Sequence, residues 1–369
     1  MSHLPSLYTC ESVTAGHPDK VCDQISDAIL DAHLTQDPDA RVAVETFGSH
    51  GTLVIGGEIT STADVNHRAI AERVYRDIGH TDPLNIMEYV VQQSPEIAAG
   101  VDDGGAGDQG IMYGYACNQT PELLPIATAV AHALTRRLDQ VRGDKTLTWL
   151  RPDGKSQVTV RDGLIETILL SVQHDEDVTQ EQIRAELVTH VVIPVLSHYR
   201  LAPPANLIIN PSGSFVVGGF EADAGLTGRK IMVDTYGGVI PHGGGAFSGK
   251  DPSKVDRSGA YMARYVAKQL VASGAADECL VSVAYAIGMA EPLMVHAIDG
   301  DGRTLDHLLE NFDFRPKAII ATLDLRTPIY QAHCTSGHFT HASAPWERID
   351  EPDTIDAYGV PSLRTTSAH

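Results

Sequence analysis

The run GGGAFSGKDPSKVDRS, residues 243–258, sets three glycines ahead of Lys250, Lys254 and Arg257. Glycine-freed backbone N–H groups beside fixed cations make a site for a polyphosphate. Gly244, Gly249 and Lys250 even keep the spacing of a P-loop. A P-loop then needs Ser or Thr to hold Mg²⁺, and the next residue is Asp251. The run Lys230-Ile-Met-Val-Asp234 resembles a Walker B strand, but it precedes the glycine loop. A P-loop-like kinase or NTPase is therefore a poor fit and stays as the alternative. Asp251 reads instead as a helix cap, with Pro252 at the first helical position. Val255, Met262, Val266 and Leu270 then form a buried stripe. Lys254, Arg257, Tyr261, Arg264 and Lys268 form the opposite, basic face.

Other segments carry the same kind of chemistry. In GHPDK, His17, Asp19 and Lys20 open a helix. A carboxylate at a helix start is favourable, but beside a phosphate it repels unless Mg²⁺ lies between them. Asp256 offers a second such oxygen. In GAGDQG, Asp108 sits among glycines at the edge of the loop AAGVDDGGAGDQG, which reads as a mobile lid. In RPDGKSQV, Asp153 and Lys155 lie on a turn entering a strand. In GLTGRK, Arg229 and Lys230 stand at a strand start, with Asp223 six residues before Arg229. Glu45 and Glu58 fall inside apolar strand sequences, where a carboxylate faces solvent or needs a cation or amine partner.

These motifs sit in a chain of 369 residues, long enough for two or three domains. The formal charge of −21 argues against nucleic acid and anionic membranes as partners. Against that background five of only eight lysines, Lys20, Lys155, Lys230, Lys250 and Lys254, fall in the motifs above. Such concentration points to a small, highly charged anion. No apolar run is long enough for a membrane helix, and no signal peptide is evident. Five dispersed cysteines read as reduced thiols of a cytoplasmic protein.

Periodicity gives a helix over 18–35, strands over 41–47 and 52–60, and a helix near 63–78. A second segment holds a helix near 124–141, strands at 156–160 and 163–173, a helix near 179–196 and a strand at 213–219. A third has strands at 229–235 and CLVSVAYAIGM, with a helix between. GTLVIGG (51–57) and GSFVVGG (213–219) echo each other, as if one unit were repeated. The expected fold class is α+β, in units 1–100, 108–219 and 220–358, with a polar tail at 359–369.

GHPDK, GAGDQG, RPDGKSQV, GLTGRK and GGGAFSGKDPSKVDRS, in this order, resemble the S-adenosylmethionine synthetase (methionine adenosyltransferase) family. The resemblance covers about residues 11–346. It implies three similar β-sheet-plus-helix units about a pseudo-threefold axis. It implies attack of methionine sulfur on C5′ of ATP, then hydrolysis of the expelled triphosphate. By resemblance, His17, Lys155, Arg229 and Lys250 are catalytic. ATP is bound by His17, Asp153, Lys155, Ser214, Phe215, Asp223, Arg229, Lys230, Ala246 and Lys250. Methionine is bound by Glu58, Gln93, Asp108, Asp223 and Lys254. Asp19 and Asp256 match Mg²⁺ ligands, with two ions per site, and Glu45 matches a K⁺ ligand. Family members are homodimers or pairs of dimers with interfacial sites, so Glu58 would serve the partner's site. Two departures stand out. The segment 100–104 is shorter than in many bacterial members, and Ser214 replaces an arginine common there.

Overall fold

The computed structural model describes residues 2–92 and 104–350. Strand β1 (Leu7–Val13) leads to helix α1 (Pro18–Gln36), then β2 (Arg41–Ser49), β3 (Thr52–Thr60), α2 (His67–Ile78) and β4 (Asn85–Val91). Next come β5 (Gly110–Cys117), α3 (Ile126–Gly143), β6 (Leu150–Arg161), β7 (Leu164–His174), α4 (Gln180–Leu187), α5 (Ile193–His198) and β8 (Asn206–Ile209). The rest is built on β9 (Gly225–Leu226), α6 (Ile231–Asp234), α7 (Val255–Ala272), β10 (Glu278–Tyr285) and β11 (Met294–Asp299), followed by short helical turns.

Three sheets result, ordered β1-β6-β7-β8, β11-β10-β5 and β4-β3-β2-β9. The class is α+β, as expected. Each sheet borrows a strand from a distant part of the chain. β1 joins β6 from Leu7↔Arg161 to Val13↔Lys155, β5 joins β10, and β9 joins β2 at Phe47↔Leu226. One core lies among β1, α3, β6, β7, α4 and α5, and a larger one lies around α1 and α7.

Helix α1 follows its sequence signals closely. Pro18 occupies the first turn, and the His17 side chain accepts from the Asp19 N–H as N-cap. Its apolar stripe, Val21, Ile25, Ala28 and Ile29, is buried.

Four expectations fail. Residues 213–219 form no strand, because Asn210, Gly213 and Gly219 take left-handed backbone angles (φ 41°, 87° and 63°) that break an extended run. The strand there is the earlier β8, parallel to β7, so the echo with 51–57 is not a structural repeat. Residues 229–235 hold helix α6 instead of a strand. Gly228 turns the chain at φ 78°, and Thr235 Oγ1 closes on the Ile231 carbonyl. Helix α7 begins at Val255 with Lys254 as N-cap, because Asp251 is taken by the Val42 and Ser253 N–H groups. Contrary to expectation, its basic face does not present Arg257 to an anion. Arg257 and Arg264 are fully buried, paired with Asp27 and Glu347, and Lys268 also pairs with Glu347. The helix expected over 179–196 is present as α4 and α5, joined within one helical run by a π-helical turn at Val188–Val192. The tail and residues 98–103 of the expected lid lie outside the described residues, and its remainder, 104–110, is described.

Several histidines are buried uncharged around α3 and the segment 333–346. Burial, then Arg136, pulls His132 down to about 3. Burial likewise pulls His341 to about 4 and lowers His338. Their folded pKa values lie below the unfolded value near 6.5, so the unfolded chain takes up protons first. This stability is present above the unfolded pKa and is lost as pH falls toward the folded values. Each such histidine should cost about 2 kcal/mol at pH 5 relative to pH 8. Urea midpoints at the two pH values should differ accordingly, and His132→Gln should reduce the difference.

Candidate active site

The site is organised by four aspartates spaced four apart on α1: Asp19, Asp23, Asp27 and Asp31. That spacing puts them on one helix face. Each carboxylate accepts backbone N–H groups from another part of the chain. Asp19 takes Leu226 (3.0 Å), Asp23 takes Gly228 (2.8 Å) and Asp27 takes Gly249 (2.8 Å). Asp31 takes Tyr330 and Gln331 (2.9 and 2.8 Å). The ladder thereby fixes the turn that carries Arg229 and Lys230 and the turn that carries Lys250. Sequence reading missed it, although the strict spacing of aspartates was there to see.

Three of the four also bind cations. Asp19 Oδ2 meets Lys230 Nζ at 2.6 Å, and Asp19 Oδ1 lies 3.5 Å from Arg229 Nε. Lys20 is buried between Asp23 (2.8 Å) and Asp234 (2.6 Å). Burial opposes its charge, but the two carboxylates outweigh that and raise its pKa. Asp27 grips Arg257 through both oxygens, at 2.8 and 2.6 Å. Lys20 and Arg257 are thus framework, and neither is presented to an anion. The cations that remain partly open are Arg229, Lys230, Lys250, Lys254 and Lys155.

His17 is buried beside them. Its pKa is pulled down to about 3, first by burial and then by Lys230 and Lys155. The ring is neutral. Nδ1 accepts from the Asp19 N–H at 3.2 Å, so Nε2 carries the proton. The structure thus brings together His17, Asp19, Arg229, Lys230 and Lys155. The glycine loop touches this group, since a Cβ at Gly228 would lie 2.6 Å from Ala246 Cβ. On the loop's far side Lys250 Nζ pairs with Asp256 at 2.6 Å, and Lys254 pairs with Asp251. A Cβ at Gly245 would overlap Asp256 at 2.2 Å, so only glycine lets the loop lie on that carboxylate.

Asp153 is buried and accepts from the Gly219 N–H at 2.9 Å. Burial chiefly raises its pKa to about 6, with Gly219 and Lys155 opposing and Asp223 adding to the rise. Asp223 is exposed and caps Ala224. Phe215 is held through its backbone by His174, and Ser214 beside it is exposed. Asp108 is exposed, two residues from Gly110, which approaches Asp256. Gln93 lies outside the described residues. Glu45 and Glu58 do not join the cluster. They stand on the outer face of the β4-β3-β2-β9 sheet, while Val42, Val44 and Thr46 on the other face are buried.

The donors suit a hard cation. Asp19 and Asp256 offer carboxylate oxygens beside Lys230 and Lys250, and Mg²⁺ takes one or two carboxylates plus phosphate oxygens. Among the described residues no cluster of three or more His, Cys, Asp or Glu could hold a metal alone.

This three-part arrangement is matched by three family models in succession. They are the N-terminal (residues 5–95), central (103–215) and C-terminal (217–348) domains of S-adenosylmethionine synthetase. The chain belongs to the S-adenosylmethionine synthetase family. It is 49% identical to the S-adenosylmethionine synthase of Gloeobacter violaceus, over 95% of this chain and 97% of that protein. It is 50% identical to that of Wolinella succinogenes and 48% to that of Deinococcus deserti, each over 95% of this chain and 98% of the relative. The Gloeobacter alignment runs over 405 positions against 369 residues here, so that relative has segments this chain lacks.

The buried Asp27–Arg257 pair should dominate the stability of the site. Asp27→Ala strands a buried guanidinium and frees the Gly249 N–H. The expected loss is about 3–5 kcal/mol, read from guanidinium unfolding.

Proposed function

We propose that this chain makes S-adenosylmethionine from ATP, L-methionine and water, releasing phosphate and diphosphate. The carrying observation is the convergence of His17, Arg229, Lys230 and Lys155 at the start of α1, against the glycine loop that bears Lys250. A thioether sulfur is nucleophilic without losing a proton, so the first step needs no general base. The barrier lies in the leaving triphosphate, whose charge grows as the C5′–O bond breaks. Preorganised cations meet that charge. Lys155, Arg229, Lys230 and Lys250 hold the phosphates, and the His17 Nε2–H donates toward the departing oxygen. Asp19 and Asp256 hold Mg²⁺, two ions per site, which supplies charge neutralisation on the phosphate oxygens.

Asp153, Ser214, Phe215, Asp223 and Ala246 are assigned to the nucleoside and ribose side of ATP. Glu58, Gln93, Asp108, Asp223 and Lys254 are assigned to methionine, and Glu45 to K⁺. Glu45 and Glu58 share their sheet face with exposed Phe47, Tyr89 and Val91. An apolar face around two carboxylates supports a homodimer in which Glu58 completes the partner's site. The units 1–100, 108–219 and 220–358, with pseudo-threefold symmetry, fit an architecture in which each sheet borrows a distant strand. Among the described residues no helix is long and apolar enough to cross a membrane. All five cysteines are free and buried, which supports a cytoplasmic enzyme.

Purified protein with ATP, Mg²⁺, K⁺ and L-methionine should yield S-adenosylmethionine, phosphate and diphosphate by mass spectrometry. ADP, or no methionine-dependent product, would overturn this reading and return the kinase alternative. Lys250→Met should fold normally and lower kcat by roughly 10²- to 10³-fold. In Asp19→Asn the Mg²⁺ titration of the rate should move to higher concentration, and an unchanged curve would leave Asp19 as a structural partner of Lys230 only.

A further inference from the structure

We infer that His80, far from the phosphate-binding motifs in sequence, is a positioning residue for His17. His80 is buried in the turn after α2, and its Nε2 lies 3.0 Å from the Gly16 carbonyl oxygen. A carbonyl only accepts, so this nitrogen carries the proton and donates. Burial lowers the pKa of the ring and keeps it neutral. The bonded carbonyl belongs to the peptide joining Gly16 to His17, so the bond acts on the backbone that aims the His17 ring.

The His80 ring has little freedom to move. It stacks on Tyr75 at 4.8 Å and 18°, and Tyr75 stacks on Phe220 at 5.4 Å and 10°. Phe220 in turn fills the space over Gly48, where a Cβ would lie 2.1 Å from its ring. A Cβ at Gly219 would lie 2.4 Å from His80 Cε1, so the imidazole is wedged against the Gly219 turn. That turn is the one whose N–H is held by Asp153. One ring stack therefore connects β2, α2 and the 219–220 turn to the peptide before His17.

The rest of that loop is pinned as well. Thr14 Oγ1 donates to the Pro152 carbonyl (2.7 Å), the Ala15 N–H to Asp139 (3.0 Å), and Gln24 to the Ala15 carbonyl (2.7 Å). The His17 N–H also bonds the Thr14 carbonyl (3.2 Å), and the Gly16 carbonyl is taken by His80. Gly16 itself is pressed against Pro152, where a Cβ would lie 2.3 Å away, so the loop cannot shift toward β6.

This inference rests on the proposed role of His17, and the test separates the two. His80→Phe keeps a ring in the stack and removes the donor. His80→Gln returns an N–H of similar reach. His17→Asn and the His17→Asn/His80→Phe double variant complete the set. His80→Phe should lower kcat by about 10- to 100-fold, the scale for disturbing a group that orients a reacting one. KM for ATP should stay within about 2-fold, and Tm within a few degrees. His80→Gln should recover most of the loss. In the His17→Asn background His80→Phe should cost nothing further. Full kcat in His80→Phe, additive losses in the double variant, failure of His80→Gln to recover, or a His80→Phe protein that does not fold would each overturn the inference. Full kcat in His17→Asn would instead remove the reading of His17 on which it stands.

Discussion

On the proposed function one constraint shapes this molecule: cations that would meet a triphosphate must be held in place when no triphosphate is present. Left unpaired, neighbouring Lys and Arg side chains repel one another and disperse. The structure answers with carboxylates on a single helix. The aspartate ladder of α1 binds two cations fully, Lys20 and Arg257, and leaves two partly open, Arg229 and Lys230. The same ladder holds the backbone at Gly228 and Gly249, directly ahead of the cations at 229, 230 and 250. Charge pairing and backbone positioning are thus one device. A protein with net charge −21 can concentrate positive charge at one place only by this kind of local pairing.

The ladder also explains why α1 needs so much support. Three of its carboxylates, Asp19, Asp23 and Asp27, are buried, and a buried charge is tolerated only when paired and hydrogen-bonded. Every aspartate on the ladder has at least one backbone N–H, and three have a cation. Apart from Lys20 on the same helix, the partners come from residues 226–257 and 330–331, so the ladder is satisfied only when the C-terminal part of the chain is docked. The borrowed strands β1, β5 and β9 tie the parts together in the same sense. Fold and site are consequently hard to separate, and substitutions in the ladder disturb both.

Much of this was legible in the sequence where signals were local. Pro18 and the stripe Val21, Ile25, Ala28, Ile29 marked α1, and alternation marked β2 and β3. The motifs led to residues that do converge, as with His17, Asp19, Arg229 and Lys230. Non-local pairing was not legible. Lys254, Arg257, Arg264 and Lys268 had the periodicity of one basic helix face, with Lys254 and Arg257 read as part of an anion site. Two of them are fully buried, because Asp27 and Glu347 arrive from 230 and 83 residues away to neutralise them. The 213–219 and 229–235 runs had strand composition, but positive-φ glycines and demands from Lys20 and Asp19 overrode it. His80 carries no local signal at all. Its role appears only when α2 sets its imidazole beside Gly16.

On the proposed reading, the resting ion pairs are also a switch in partners. Lys230 holds Asp19 and Lys250 holds Asp256, and in each pair both members are claimed by the substrate complex. Lys230 and Lys250 would then turn from a carboxylate to a phosphate, while Asp19 and Asp256 would be the residues to hold Mg²⁺, which would supply the neutralising charge. Every group keeps an opposite charge throughout, so little electrostatic work is spent opening the site. In both pairs the lysine is partly accessible, as is Asp256, while Asp19 is itself buried and Lys20–Asp234 and Asp27–Arg257 are sealed from solvent on both sides. Exposure thus sorts otherwise similar ion pairs into those that can trade partners and those that only hold the frame. The sealed pairs fix the backbone, and the open ones can give up their partners without moving it.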